Sequence, residues 1–157
     1  MASFPFEFSG AVLLPIDMQR AIDWPCRPRR GNPALDENGL RLLASWREKG
    51  LPIIHVRHDS VEAESLFRPD HPGNAPRPGF EPRAGEALVV KSVSSAFIGT
   101  DLDLRLRRLG AKRVVCFGWA TDMCVSTTIR TGANTGWEMV MVADACDCME
   151  LPDAIGG

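Results

Sequence analysis

The chain has 157 residues, 45% of them hydrophobic, and a formal net charge of −2 with 18 basic and 20 acidic side chains. That length and apolar content suit a single domain over residues 1–157 with one continuous core. The charges are scattered, no apolar run approaches the ~18 residues of a spanning helix, and the N-terminus shows no leader pattern, which argues against nucleic acid and membrane as partners and for a cytoplasmic location.

Residues 11–16, Ala-Val-Leu-Leu-Pro-Ile, form a short apolar run that stops at Asp17, the pattern of a buried strand carrying a polar group at its C-terminal end. Pro15 is irregular there because it has no N–H for a ladder. Beyond a Pro- and Arg-rich loop, residues 34–49 bring Leu35, Leu40, Leu42, Leu43 and Trp46 close to one face at helical spacing, and Gly50 stops the helix. Leu51 to Val56 is a second strand, which makes a right-handed crossover unit of a parallel sheet.

From His58 to Gly85 no period holds, and the stretch reads as a long surface excursion. Ala87 to Val90 gives a third strand that delivers Lys91. Thr100 is placed to cap a helix holding Leu102, Leu104, Leu106 and Leu109, ended by Gly110. Residues 113–117 form a fourth strand, residues 123–133 a helix, and Glu138 to Ala143 a fifth strand ending at Asp144. The alternation predicts a three-layer α/β fold, an open parallel sheet with helices on both faces, whose ligands bind beyond the carboxyl ends of the strands.

Asp17, Lys91 and the Cys124 region all arrive at that edge. Alone, an aspartate there is commonly a turn residue and a lysine commonly solvated. Together they suit nucleophilic catalysis: a helix start and an ammonium lower the thiol pKa, and a carboxylate takes its proton. Cys26, Cys116, Cys124, Cys146 and Cys148 include no C-x-x-C pair, so reduced thiols are expected rather than disulfides or a zinc knuckle. Cys116 reads as a buried filler, Cys26, Cys146 and Cys148 as loop residues. Asp122 reads as a cap for the helix at Met123. No G-x-G-x-x-G or Walker sequence follows a strand, so a nucleotide or flavin binder has no support and no cofactor is expected.

Three stretches carry a resemblance: Leu-Leu-Pro-Ile-Asp-Met-Gln around Asp17, Val-Val-Lys-Ser-Val-Ser-Ser-Ala-Phe around Lys91, and Val-Val-Cys-Phe-Gly-Trp-Ala-Thr-Asp-Met-Cys-Val around Cys124. In that order they resemble the isochorismatase-like cysteine hydrolases, relatives of nicotinamidase, N-carbamoylsarcosine amidase and ureidoacrylate amidase, from about residue 11 to Asp144. The resemblance implies a six-stranded parallel sheet and a triad of Asp17 as base, Lys91 as electrostatic partner and Cys124 as nucleophile. It also implies a cis peptide between Trp119 and Ala120 and an oxyanion hole from the Ala120 and Cys124 amides.

Gln19, Trp24, Phe97 and Trp119 are expected around a small-molecule pocket because each lies within a few positions of a triad or oxyanion residue; core packing is the competing reading for the aromatics. Arg57 and His58 are placed to meet an anionic substrate or solvent. Nicotinamidases hold a metal with Asp-x-His and a further histidine, whereas this chain reads His55-Val-Arg-His58-Asp59 with only His71 beyond, so no metal is expected. Isochorismatases proper cleave a vinyl ether without needing the cysteine, so by this resemblance Cys124 favours a C–N bond of a small amide, carbamoyl or ureido compound. The resemblance implies a homo-oligomer, a dimer or tetramer. The sequence also ends at Gly157, short of the final strand usual in the superfamily, which leaves open a truncated, non-catalytic relative serving as a binding or assembly module.

Overall fold

A computed structural model of the chain describes residues 7–26 and 31–149. Five strands, β1 (Ala11–Ile16), β2 (Ile54–His58), β3 (Ala87–Lys91), β4 (Arg113–Trp119) and β5 (Glu138–Asp147), form one parallel sheet in the order β3-β2-β1-β4-β5. Helices α1 (Leu35–Glu48), α2 (Leu102–Arg108) and α3 (Ser126–Asn134) complete the three-layer α/β arrangement. The sixth strand implied by the resemblance is not among the described residues.

β1 is buried along its whole length, as a central strand covered on both faces must be. It pairs with β4 from Ala11↔Arg113 to Ile16↔Gly118, but its ladder to β2 reduces to Ile16↔Val56 and a bridge between Leu13 and Ile53. That asymmetry explains how Pro15 is tolerated in an interior strand. The amides of Leu13 and Asp17 both donate toward the β2 side, to Pro52 O and Val56 O, so the donor that Pro15 lacks belongs to the thin ladder.

α1 buries Leu35, Gly39, Leu43 and Trp46, a stripe at helical spacing. Leu40 and Leu42, placed by sequence near that face, lie outside it, with Leu40 exposed and Leu42 only partly buried. Gly39 sits against Phe117 of β4 and Phe80 of the β2–β3 connection, so α1 and that connection cover one face. Phe97 and Met139 meet at Gly132 of α3 on the other. Right-handed crossovers require this split, because the chain runs from β1 toward β3 and then returns to β4 and β5.

The connection from Asp59 to Glu86 is not the surface excursion that its lack of period suggested. Phe67, Gly73, Asn74, Arg77 and Phe80 are buried, and Arg77 pairs with Asp23 and Asp36 to hold the segment against α1. A few anchors at irregular intervals dock it, which no periodicity search detects. β5 likewise extends past the expected Asp144 to Asp147, because a register shift between Cys116 and Gly118 lets it re-pair as Gly118↔Cys146 and Trp119↔Asp147. Cys146 is therefore a buried strand residue, not a loop residue.

Candidate active site

The chain reverses direction across the sheet between β1 and β4, and the crevice beyond their carboxyl ends is where an open parallel sheet accepts a ligand. Asp17 follows β1 directly, in a left-handed backbone conformation (φ 53°) that aspartate tolerates better than most residues. Lys91 closes β3, and its long side chain crosses beyond the end of β2 to reach Asp17. After β4 comes the Trp119–Ala120 peptide, which is cis, and then a π-helical turn, Thr121–Val125, before α3. Cys124 belongs to that turn, a geometry frequent at functional sites. The uninterrupted α-helix expected from Met123 thus begins three residues later.

The three side chains meet. Lys91 Nζ lies 2.7 Å from Asp17 Oδ2, 3.3 Å from Cys124 Sγ and 3.1 Å from His58 Nδ1. The Asp17 and Lys91 side chains are almost wholly buried, at 2% and 0% exposure. Asp17 Oδ1 is buried and has no hydrogen-bond partner among the described residues. Ligating atoms of Asp17, His58 and Cys124 lie within 4.8 Å of one another, spacing that would suit a metal ion. The Lys91 ammonium bonds to all three, so the positive charge such a cluster calls for is supplied by the chain itself.

Burial pushes the Asp17 carboxyl up, against the opposing pull of the Lys91 charge and hydrogen bond. Burial, reinforced by the Asp17 charge and only partly countered by Lys91, pushes the Cys124 thiol up to about 12. His58 falls to about 4, through burial and then the neighbouring ammonium. The expected lowering of the thiol pKa by the helix start and the ammonium is therefore corrected: burial outweighs both. Partly buried beside a carboxylate, Cys124 rests as a thiol, and His58 rests as a neutral imidazole.

This cluster floors a cavity of about 490 Å³ whose walls include His58, Phe67, Trp119, Ala120, Asp122 and Cys124. Of the expected pocket residues, Trp119 lines it and the others do not. Gln19 is buried and its amide is used on backbone: Nε2 donates to His58 O and Asn74 O, and Oε1 accepts from His58 N–H. Trp24 packs edge-on against the His71 ring, centroids 4.8 Å apart. Phe97 packs against α3, the core role that was its competing reading.

Arg57 is held by both oxygens of Asp59 and lies outside the cavity lining, so it is not placed to receive an anion. Asp122 stands in the cavity wall, and no side-chain cap closes either the π turn or α3. His58 is the participant that sequence reasoning undervalued. It read as a strand-end residue of uncertain direction, and only the pairing His58↔Lys91 across β2 and β3 reveals that it adjoins the lysine.

The isochorismatase domain profile matches residues 11–152. The chain belongs to the isochorismatase family. It is 36% identical to the isochorismatase family protein YrdC of Bacillus subtilis (strain 168) over 142 residues, 90% of this chain and 76% of that protein. The crystal structure of an isochorismatase-family protein from Chromobacterium violaceum superposes with a TM-score of 0.91 at 40% identity, covering all of this chain and 81% of its own. A streptothricin hydrolase of Streptomyces noursei is 29% identical over 113 residues, 72% of this chain and 41% of that enzyme. The family is one of hydrolases, amidohydrolases among them. No described helix of this member is long and apolar enough to cross a membrane.

Proposed function

We propose that this isochorismatase-family hydrolase cleaves a C–N bond of a small amide, carbamoyl or ureido compound through a thioester on Cys124. The observation that carries the reading is Lys91 Nζ, held between Asp17 Oδ2 and Cys124 Sγ at the floor of a cavity sized for a small molecule. Relatives named for hydrolysis of streptothricin and of ureidoacrylate support the C–N assignment.

The proton inventory favours a base-activated thiol over a standing thiolate. Asp17 Oδ1, buried and without a hydrogen-bond partner among the described residues, takes the Sγ–H proton as sulfur attacks the carbonyl carbon. Lys91 balances the negative charge as it passes from carboxylate to sulfur and on to the substrate oxygen. The backbone N–H groups of Ala120 and Cys124 receive that oxygen, and each such donor is worth about 2.7–4 kcal/mol in comparable sites. The tetrahedral adduct then collapses, and the departing nitrogen takes the proton from Asp17. Water, deprotonated by Asp17, attacks the thioester; the acid product leaves and the sulfur recovers its proton.

A screen of small amides, ureas and carbamoyl amino acids tests the reading with the native chain and Cys124→Ala. Turnover lost in the variant, with an acyl adduct on Cys124 seen by mass spectrometry of the native chain, is the expected result. Equal turnover by both proteins would eliminate covalent catalysis.

A further inference from the structure

His58 ends β2, with its ring against Phe67 on one side (centroids 5.9 Å apart, planes at 83°) and the cavity on the other. An ammonium has no lone pair, so across the 3.1 Å contact Lys91 Nζ donates and His58 Nδ1 accepts. A neutral imidazole that accepts at Nδ1 carries its hydrogen on Nε2. The described buried side-chain atoms without a partner are Asp17 Oδ1 and Asp147 Oδ2; His58 Nε2 is not one of them, although no described residue bonds to it. Its hydrogen therefore opens into the cavity. His58 and Cys124 line the same cavity and share the Lys91 ammonium, at 3.1 Å from Nδ1 and 3.3 Å from Sγ, so that hydrogen and the sulfur face one space.

We propose that His58 is a substrate-positioning residue, its Nε2–H donating to an acceptor atom adjacent to the carbon that Cys124 attacks. Four features set this orientation. Lys91 fixes the tautomer, Phe67 fixes the ring plane, and Gln19 and Asn74 pin the His58 backbone through its N–H and C=O. Gln19 thereby serves the site at one remove. The matching substrate class is an amide or carbamoyl compound with a second hydrogen-bond acceptor beside the reacting carbon. That substrate class rests on the C–N hydrolase reading, while the tautomer and the donor toward the cavity do not.

Two substitutions separate the two ring nitrogens. An asparagine amide overlays Nδ1 and keeps an acceptor for Lys91 but loses the cavity donor; a glutamine amide overlays Nε2 and keeps the donor. The probe is alkylation of Cys124 by iodoacetamide, which offers a carbonyl oxygen beside the reacting carbon, relative to iodoethane, which offers none. The iodoacetamide-to-iodoethane rate ratio is expected to fall roughly five- to tenfold in His58→Asn, the worth of one hydrogen bond, and to stay within about twofold in His58→Gln. Long-range proton–nitrogen correlation spectra of the unsubstituted chain, labelled with ¹⁵N-histidine, should show the Nε2–H tautomer for His58 at pH 7. An Nδ1–H tautomer, or a ratio unchanged in His58→Asn, overturns the proposal. Neither measurement needs turnover, so a failed amide screen would sink the hydrolase reading while leaving this one decided on its own data.

Discussion

Lys91 and Asp17, 74 positions apart in sequence, form an ion pair of 2.7 Å with almost no solvent contact. Such a pair is costly to bury and far costlier to break, because the survivor is an uncompensated charge. Lys91→Met is accordingly expected to lose about 3–5 kcal/mol of unfolding free energy at pH 7, and the double variant Asp17→Asn with Lys91→Met to lose less. A folded-state carboxyl pKa above its unfolded value makes the folded state the better proton binder, so the deficit of Lys91→Met should shrink as pH falls. Urea titrations at two pH values check both points; equal losses in the single and double variants would mean that the unpaired Asp17 carboxylate carries no cost.

Removing the Asp17 charge should split reactivity from turnover. That charge is one of the causes holding the Cys124 thiol near 12, so Asp17→Asn, with Lys91 retained, makes the thiol more acidic. Alkylation of Cys124 at pH 8 should quicken while hydrolysis falls by about 10²–10⁴, the usual worth of a general base. In the native chain hydrolysis should decline as acid protonates Asp17, and because burial raises that carboxyl the decline begins above its ordinary 3.8. A thiol slowed by Asp17→Asn would contradict the charge balance described for the site.

Much of this site was legible in the sequence because its parts stand at strand ends. An apolar run that stops at Asp17, another that stops at Lys91, and a strand-to-turn junction before Cys124 all point to one edge of a parallel sheet. Side-chain direction was not legible. Gln19 lies two residues from Asp17 yet turns to the backbone of His58 and Asn74, whereas His58, distant in sequence from both Lys91 and Cys124, joins the cluster through strand pairing. The thiol's protonation state was misjudged for a related reason. Sequence spacing shows a lysine arriving but not the depth of burial, which outweighs it.

Acid should loosen the fold stepwise. His55 and His58 both have pKa values held below the usual 6.5, His55 chiefly by burial and His58, at about 4, by burial and Lys91. The unfolded chain therefore takes up protons first as pH drops below 6.5, and stability falls from there through about 4 by about 1–3 kcal/mol. Glu86 adds a second step: burial raises its carboxyl, but hydrogen bonds from Arg47, the Arg83 amide and His55 outweigh that and bring it to about 2. Its contribution is complete above about 4.5 and vanishes as pH falls through 2, and solvent screening keeps it near 1 kcal/mol. Asp17 works in the opposite sense. Urea midpoints at pH 7, 5 and 3 should decline throughout, with His58→Gln showing a shallower first step; a flat profile from pH 7 to 5 would remove the histidine account.

Gly118 links the sheet to the site more tightly than any other glycine of the described chain. It pairs with Ile16, the residue before Asp17, and it precedes Trp119, so it spaces the two strand ends that carry Asp17 and the Trp119–Ala120 peptide. Its φ of 129° is unfavourable for any side chain, and an added Cβ would overlap the Ile16 carbonyl oxygen, which is backbone and cannot rotate away. Gly50, with φ of 63° and no atom within 4 Å of an added Cβ, carries the conformational cost alone. Gly50→Ala should therefore lose about 1 kcal/mol. Gly118→Ala should lose more than about 3 kcal/mol, and any folded fraction should alkylate at Cys124 with altered kinetics because β1 and β4 have been forced apart. Similar urea midpoints for the two variants would show that the strand ends can shift without cost, and the Ile16↔Gly118 pairing would then not depend on this glycine.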